Sequence, residues 1–195
     1  MSQRNSSYDR KPRDHYATPS WCTQMILPYI PDDSVVWEPA CGSGAMTRVL
    51  STVFPVISTD IEPGVDHAPL DFFACSEVLR LDGRKPNVIV TNPPYDSSPK
   101  FVEHALDLMR PVGGMVFMLM RVDWDSAKTR RHLFADCKAW GTKIVLTKRI
   151  MWFQPTPGST GKSPSENHCW MVWDWKRQGP ATLEYVHPDW NQEAA

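Results

Sequence analysis

Asn92-Pro93-Pro94-Tyr95 is the stretch of this sequence whose residue types most narrowly define a chemistry. It directly follows Val88-Ile89-Val90-Thr91, an apolar β-branched run that reads as a buried strand. Two consecutive prolines fix the backbone and remove two N–H donors, so the local carbonyls are not drawn into a helix and stay free to accept. An sp² amino nitrogen is a poor nucleophile because its lone pair is delocalised into the ring. Two acceptors on its hydrogens, the Asn92 side-chain oxygen and the Pro93 carbonyl, would localise that lone pair and turn it on an electrophile. Pro94 holds the turn, and Tyr95 offers a face on which a base removed from a duplex can stack.

A second group lies upstream. Glu38-Pro39-Ala40-Cys41-Gly42-Ser43-Gly44 is a glycine turn between a strand and a helix, but it is not the G-x-G-x-x-G of a dinucleotide site. An acidic residue at a strand end followed by G-x-G lets backbone approach a small zwitterion. Asp60, at the end of the next strand and followed by Ile61, can accept from two ribose hydroxyls. Together these residues suit an adenosyl amino acid.

The elements that must position these groups alternate along the chain. Thr18-Pro19 reads as the cap and first position of a helix running to about Pro28. Strands are predicted at Val35 to Trp37, Val56 to Thr59, Val88 to Thr91 and Met115 to Met120, with later ones at Ile144 to Leu146, Cys169 to Trp175 and Thr182 to Val186. Helices are predicted at Ala45 to Phe54, at Phe101 to Met109, stopped by Pro111 and Gly113-Gly114, and at Ser126 to Trp140. This order predicts an α/β fold, a doubly wound, mostly parallel sheet in a single domain, with ligands at the C-terminal strand ends. The expected layout is a flexible arm over residues 1–14, the domain over 15–190, and a mobile Gly/Ser/Pro loop over 154–165.

At this point the chain resembles the amino methyltransferases of the DNA N6-adenine type, in particular the small phage-type enzymes, from Tyr16 to about Trp175. The fold that this implies is that of the class I S-adenosylmethionine-dependent methyltransferases. By that resemblance Tyr16, Thr18 and Pro19 form the N-terminal cofactor motif, with Thr18 meeting the methionine carboxylate. Glu38, Ala40, Gly42 and Gly44 match the methionine-end turn, and Asp60 the ribose ligand. Asp71 and Phe72 match the pair that holds the cofactor adenine. Asn92 to Tyr95 match the catalytic motif, and Phe153, or Trp152 in its place, the aromatic packed against the target base. The implied reaction is methyl transfer from S-adenosylmethionine to adenine N6 in DNA. RNA adenine, a protein glutamine N5 and a non-catalytic S-adenosylmethionine-binding module remain open. Nothing resembles a separate target-recognition domain, so recognition would rest on a basic stretch, on a partner, or be loose.

Composition narrows the alternatives. Residues 16–120 carry 6 Lys and Arg against 12 Asp and Glu, whereas residues 121–162 carry 9 against 3. An acidic cofactor half and a basic substrate half follow, with Lys128, Arg130 and Arg131 assigned to the phosphate backbone. No apolar run reaches the roughly 20 residues of a membrane helix. Five dispersed cysteines without a C-x-x-C pair point to reduced thiols and a cytoplasmic protein. Six scattered histidines give no metal site. No Pro-Cys pair exists to serve a cytosine C5 enzyme. Gly158 to Ser163 imitates a phosphate loop, but Thr156 stands where its first glycine belongs and no helix follows. The tryptophans Trp170, Trp173 and Trp175 are assigned to packing rather than to base stacking.

Overall fold

The computed structural model describes residues 17–64, 66–152 and 166–190. The N-terminal arm, Tyr16, Phe153 and the 154–165 loop therefore lie outside the described residues. Eight strands form one sheet: β1 (Val36–Glu38), β2 (Val56–Asp60), β3 (Ala68–Pro69), β4 (Val88–Thr91), β5 (Met115–Arg121), β6 (Trp140–Leu146), β7 (His168–Asp174) and β8 (Thr182–Val186). Their spatial order is β3-β2-β1-β4-β5-β7-β6-β8. Pairings from β3 through β5 are parallel, β7 runs antiparallel between β5 and β6, and β8 is parallel to β6.

The central strands read as unbroken apolar runs because both of their faces are covered. Alternate residues go to opposite cores. Val88, Val90, Phe117, Leu119, Trp170 and Val172 pack beneath α1 (Ser20–Gln24) and α2 (Ala45–Leu50), against Cys22 of α1, Ile26 just beyond it, and Met46 and Leu50 of α2. Ile89, Val116, Met118, Met120, Met171 and Trp173 face the other way, against Phe101, Val102, Ala105 and Met109 of α3 (Ser98–Met109). Trp170 and Trp173 are fully buried, and each indole N–H finds a backbone carbonyl, that of Cys22 at 3.0 Å and that of Leu133 at 2.6 Å. A buried aromatic of this kind contributes about 1.5–3 kcal/mol, which is why these rings stay in the core.

Two sequence expectations are corrected. The helix over 126–140 does not form. Its place is taken by 3-10 segments at Trp124–Ser126 and Lys128–Leu133, closed by i to i+3 bonds such as Arg130 N to Ala127 O at 2.9 Å. Ser126, Thr129, His132 and Asp136 favour helix weakly, and Trp124, Phe134, Trp140 and Trp173 meet edge-on or tilted at centroid distances of 4.8 to 5.7 Å. That aromatic cluster draws the backbone off a helical path. The first helix likewise starts at Ser20 with Pro19 as its cap residue, makes no side-chain cap bond, and ends at Gln24. A separate 3-10 turn follows at Leu27–Tyr29, where Pro28 has no N–H to continue an α-helical ladder. Among the described residues no helix is long and apolar enough to cross a membrane.

Candidate active site

The C-terminal ends of β1, β2 and β4 open into one cavity of about 730 Å³. Ten of the residues singled out in the sequence line it: Thr18, Glu38, Ala40, Gly42, Asp60, Ile61, Asp71, Phe72, Asn92 and Pro94. Segments as far apart in sequence as those of Thr18 and Pro94 therefore meet at one place. Pro19, Gly44, Pro93, Tyr95 and Trp152 are not among the lining residues.

The glycine turn works through backbone geometry. Gly42 and Gly44 both have positive φ, 51° and 72°, which other L-residues rarely adopt. Gly42 N donates to Asp60 Oδ2 at 2.8 Å, and Gly44 N closes the turn on Cys41 O at 2.8 Å. The second Asp60 oxygen accepts from Glu62 N at 3.0 Å. Each carboxylate oxygen has a further lone pair, so Asp60 fixes the turn and still has acceptor capacity facing the cavity. Asp71 Oδ1 accepts from Phe73 N at 2.9 Å and caps the short turn Phe72–Ala74. That turn sets the buried Phe72 ring edge-on to Trp37 at 5.3 Å.

Thr18 has a contact that the sequence reading did not anticipate. Its buried hydroxyl accepts from Asn92 Nδ2 at 3.2 Å. This engages one amide N–H and leaves Oδ1 as the acceptor of Asn92. Among the described residues no donor takes the Pro93 carbonyl, whereas the Pro94 carbonyl accepts from Ser97 N at 3.2 Å. The two oxygens expected to engage an amine are the two that the local hydrogen bonding spares. The Tyr95 hydroxyl lies 3.2 Å from His168 Nε2, and His168 in turn packs edge-on against Trp152 with centroids 5.3 Å apart.

The cavity is acidic. Glu38, Asp60, Glu62, Asp71 and Asp96 line it, and among the described lining residues there is no Lys, Arg or His. Such a wall repels phosphates and suits a ligand carrying positive charge. Glu62 and Asp96 were not singled out in the sequence, although each follows a singled-out residue by one or two positions. Burial pushes the Glu38 carboxyl up to about 8, an effect that the Thr47 hydroxyl bonded to it reduces and the nearby Asp60 charge adds to. Burial likewise raises the Cys41 thiol to about 12, so it is not a nucleophile near neutral pH.

Glu38 makes folding pH-dependent with a definite sign. Its folded pKa lies above the ordinary 4.5, so between about 4.5 and 8 the folded state holds a proton that the unfolded state has lost. The ligand-free protein is therefore expected to lose stability as pH rises through this window. Glu38→Gln, which mimics the protonated form, should flatten that decline and melt above the wild type at pH 8. Melting curves at pH 5 and pH 8 that fall in parallel for both proteins would remove Glu38 as the source.

The basic stretch is less available than its composition promised. Arg131 pairs with Asp136 at 2.9 Å, Lys143 with Asp125 at 2.7 Å, and Arg121 with both Asp123 and Glu166. Arg130 lies over the Trp124 ring at 4.3 Å. Lys128, Arg130 and Arg131 do not line the cavity; their segment lies alongside α3, where His132 meets Glu103 at 2.9 Å.

Neither a protein-family profile nor a curated protein sequence matches the chain. Solved structures do match its fold. A Listeria monocytogenes protein described as a class I S-adenosylmethionine-dependent methyltransferase superposes with a TM-score of 0.56 at 14% identity, over 89% of this chain and 66% of that one. The type I restriction-modification methyltransferase subunit of Streptococcus thermophilus gives 0.58 at 11% identity, over 89% and 47%. The M protein of the type I restriction enzyme EcoKI gives 0.52 at 16%, over 93% and 49%. The chain thus spans about two thirds of the first protein and about half of each modification subunit. With the strand order and the position of the cavity, these likenesses define the fold as that of the class I S-adenosylmethionine-dependent methyltransferases. At such identities the likeness is one of fold.

Proposed function

We propose that this protein transfers a methyl group from S-adenosylmethionine to the exocyclic N6 amine of adenine in DNA. The observation that carries the reading is that Asn92, with its amide nitrogen bonded to Thr18, opens into a cavity walled by the carboxylates of Asp60, Glu62, Asp71 and Asp96 and the buried carboxyl of Glu38 and, among the described residues, by no basic side chain. The residues present fit the cofactor. Glu38 and the Gly42 turn suit its methionine end, Asp60 with Ile61 its ribose, and Asp71 with Phe72 its adenine, while the carboxylate wall favours a sulfonium and an ammonium. Bound there, S-adenosylmethionine supplies an electrophilic methyl group on a positively charged sulfur.

The chain's own residues then act on the acceptor. Asn92 Oδ1 and the Pro93 carbonyl accept the two N6–H bonds, which turns the nitrogen lone pair out of conjugation and towards the methyl carbon. Tyr95, with Trp152 or Phe153, stacks the base extruded from the duplex. The likeness in fold to two subunits of type I restriction-modification systems supports DNA as the substrate.

The test is transfer of labelled methyl to DNA, to RNA and to a protein extract by the purified full chain, followed by digestion and identification of the labelled product. N6-methyladenine from DNA is expected. Label confined to RNA or to glutamine moves the reading to that substrate, and no transfer at all ends it. Binding to duplex DNA should also weaken with salt. Replacing Lys128, Arg130 and Arg131 together by Ala should flatten that dependence by up to about three phosphate contacts' worth, at about 0.9 in log–log slope per contact. An unchanged slope would place the phosphate contacts on other residues.

A further inference from the structure

We infer that His168 is a positioning residue for the acceptor base: its imidazole fixes the hydroxyl end of Tyr95 and thereby sets how tightly the base is captured. The inference rests on the reading of Tyr95 as a base-stacking residue.

His168 opens β7 and stands opposite Arg121, the last residue of β5. It is 1% exposed. On one side its Nε2 lies 3.2 Å from the Tyr95 hydroxyl, and on the other Trp152 meets it edge-on at an interplanar angle of 78°. One buried ring thus joins the two described aromatic residues that the sequence assigned to the target base, although they are 57 positions apart by number (Tyr95 and Trp152). Its Nδ1 is buried and, among the described residues, has no hydrogen-bond partner. Burial, with Arg121 next in effect and Asp123 opposing, holds the imidazole pKa down at about 4, so the ring is neutral in ordinary buffers.

A neutral imidazole carries one N–H, and the surroundings choose which nitrogen bears it. On Nδ1 that N–H would be a buried donor without an acceptor. On Nε2 it donates to the Tyr95 oxygen and leaves at Nδ1 only a bare lone pair, the less costly of the two vacancies. His168 is therefore the donor, and the Tyr95 hydroxyl proton points elsewhere. The Tyr95 ring is then held at both ends: two prolines restrain its backbone and the imidazole restrains its phenol. A stacking surface fixed in advance loses less freedom when the base arrives.

The experiment compares wild type, His168→Phe, His168→Gln, Tyr95→Phe and the His168→Phe/Tyr95→Phe double variant, with adenine-containing duplex DNA as acceptor. Loss of one neutral hydrogen bond should raise KM for DNA about 3- to 10-fold in His168→Phe, with S-adenosylmethionine affinity by calorimetry unchanged. His168→Gln retains an N–H at similar reach and should restore most of the loss. Tyr95→Phe, which is safe for folding because it deletes one half-buried oxygen, should reproduce the effect, and the double variant should be no worse than either single one. A normal KM in Tyr95→Phe, fully additive losses, or His168→Gln as impaired as His168→Phe would each overturn the inference. An active wild type with unaffected variants sinks the inference alone. A wild type that places no methyl on DNA sinks the proposed function and the inference together.

Discussion

Asn92→Ala is expected to lower kcat for methyl transfer by about a hundredfold or more while leaving S-adenosylmethionine affinity nearly unchanged. The variant deletes one of two acceptors on the attacking amine in a site where such an interaction is worth about 3 kcal/mol. It also deletes the donor to Thr18, which frees a buried hydroxyl but leaves the glycine turn, Asp60 and Asp71 intact. Single-turnover rates and calorimetry on the same preparation separate the two effects. A normal rate would defeat the mechanism. Loss of cofactor binding with the rate would mean that Asn92 serves the cofactor side of the cavity, and the roles would have to be exchanged.

Asp60→Ala should fail in the opposite way, losing cofactor affinity by about a hundredfold. Asp60 is 7% exposed and holds two backbone N–H groups, those of Gly42 and Glu62. Truncation leaves both without an acceptor, at about 1–3 kcal/mol each where water cannot replace it. The turn that carries Gly42 loosens and the ribose acceptors vanish together. Thermal stability should fall with affinity, and Asp60→Asn, which keeps one acceptor oxygen, should fall between Ala and wild type in both. Calorimetry returning an unchanged affinity for Asp60→Ala would remove Asp60 from the site.

Much of the sheet was legible because its strands are buried on both faces. Val88 to Thr91 and Met115 to Met120 are apolar at every position or nearly so, and such runs bounded by turn residues read as strands without knowledge of their partners. The residues at their ends were legible for a related reason: a carboxylate or an amide at the tip of a buried strand is out of character unless it faces a cavity. What could not be read depends on contacts between distant segments. The 3-10 path of 124–133 goes with Trp124, Phe134, Trp140 and Trp173 meeting on one face of the sheet, which local propensity does not contain. The two-residue strand β3 is defined by its pairing with β2 alone. Thr18 looked like a helix cap, and its partner proved to be Asn92. His168 was one of six histidines without spacing, and only the antiparallel placement of β7 beside β5 brings it to Tyr95.

That placement of β7 also constrains how the chain can be assembled during synthesis. β6 leaves the ribosome before β7, yet among the described residues β6 pairs only with β7 and β8, and the outer side of β5 is likewise completed only by β7. A nascent chain that has emerged as far as residue 160 thus presents the apolar edge of β5, from Met115 to Arg121, and an orphan β6 with nothing to join them. Unpaired edges of this kind are where newly made chains associate with one another. Arrival of one seven-residue segment, His168–Asp174, closes both edges at once and seats Trp170 against the carbonyl of Cys22, 148 residues earlier. Closure of the β5 edge and of the inner edge of β6 therefore waits on the seventh strand, and closure of the outer edge of β6 waits on β8.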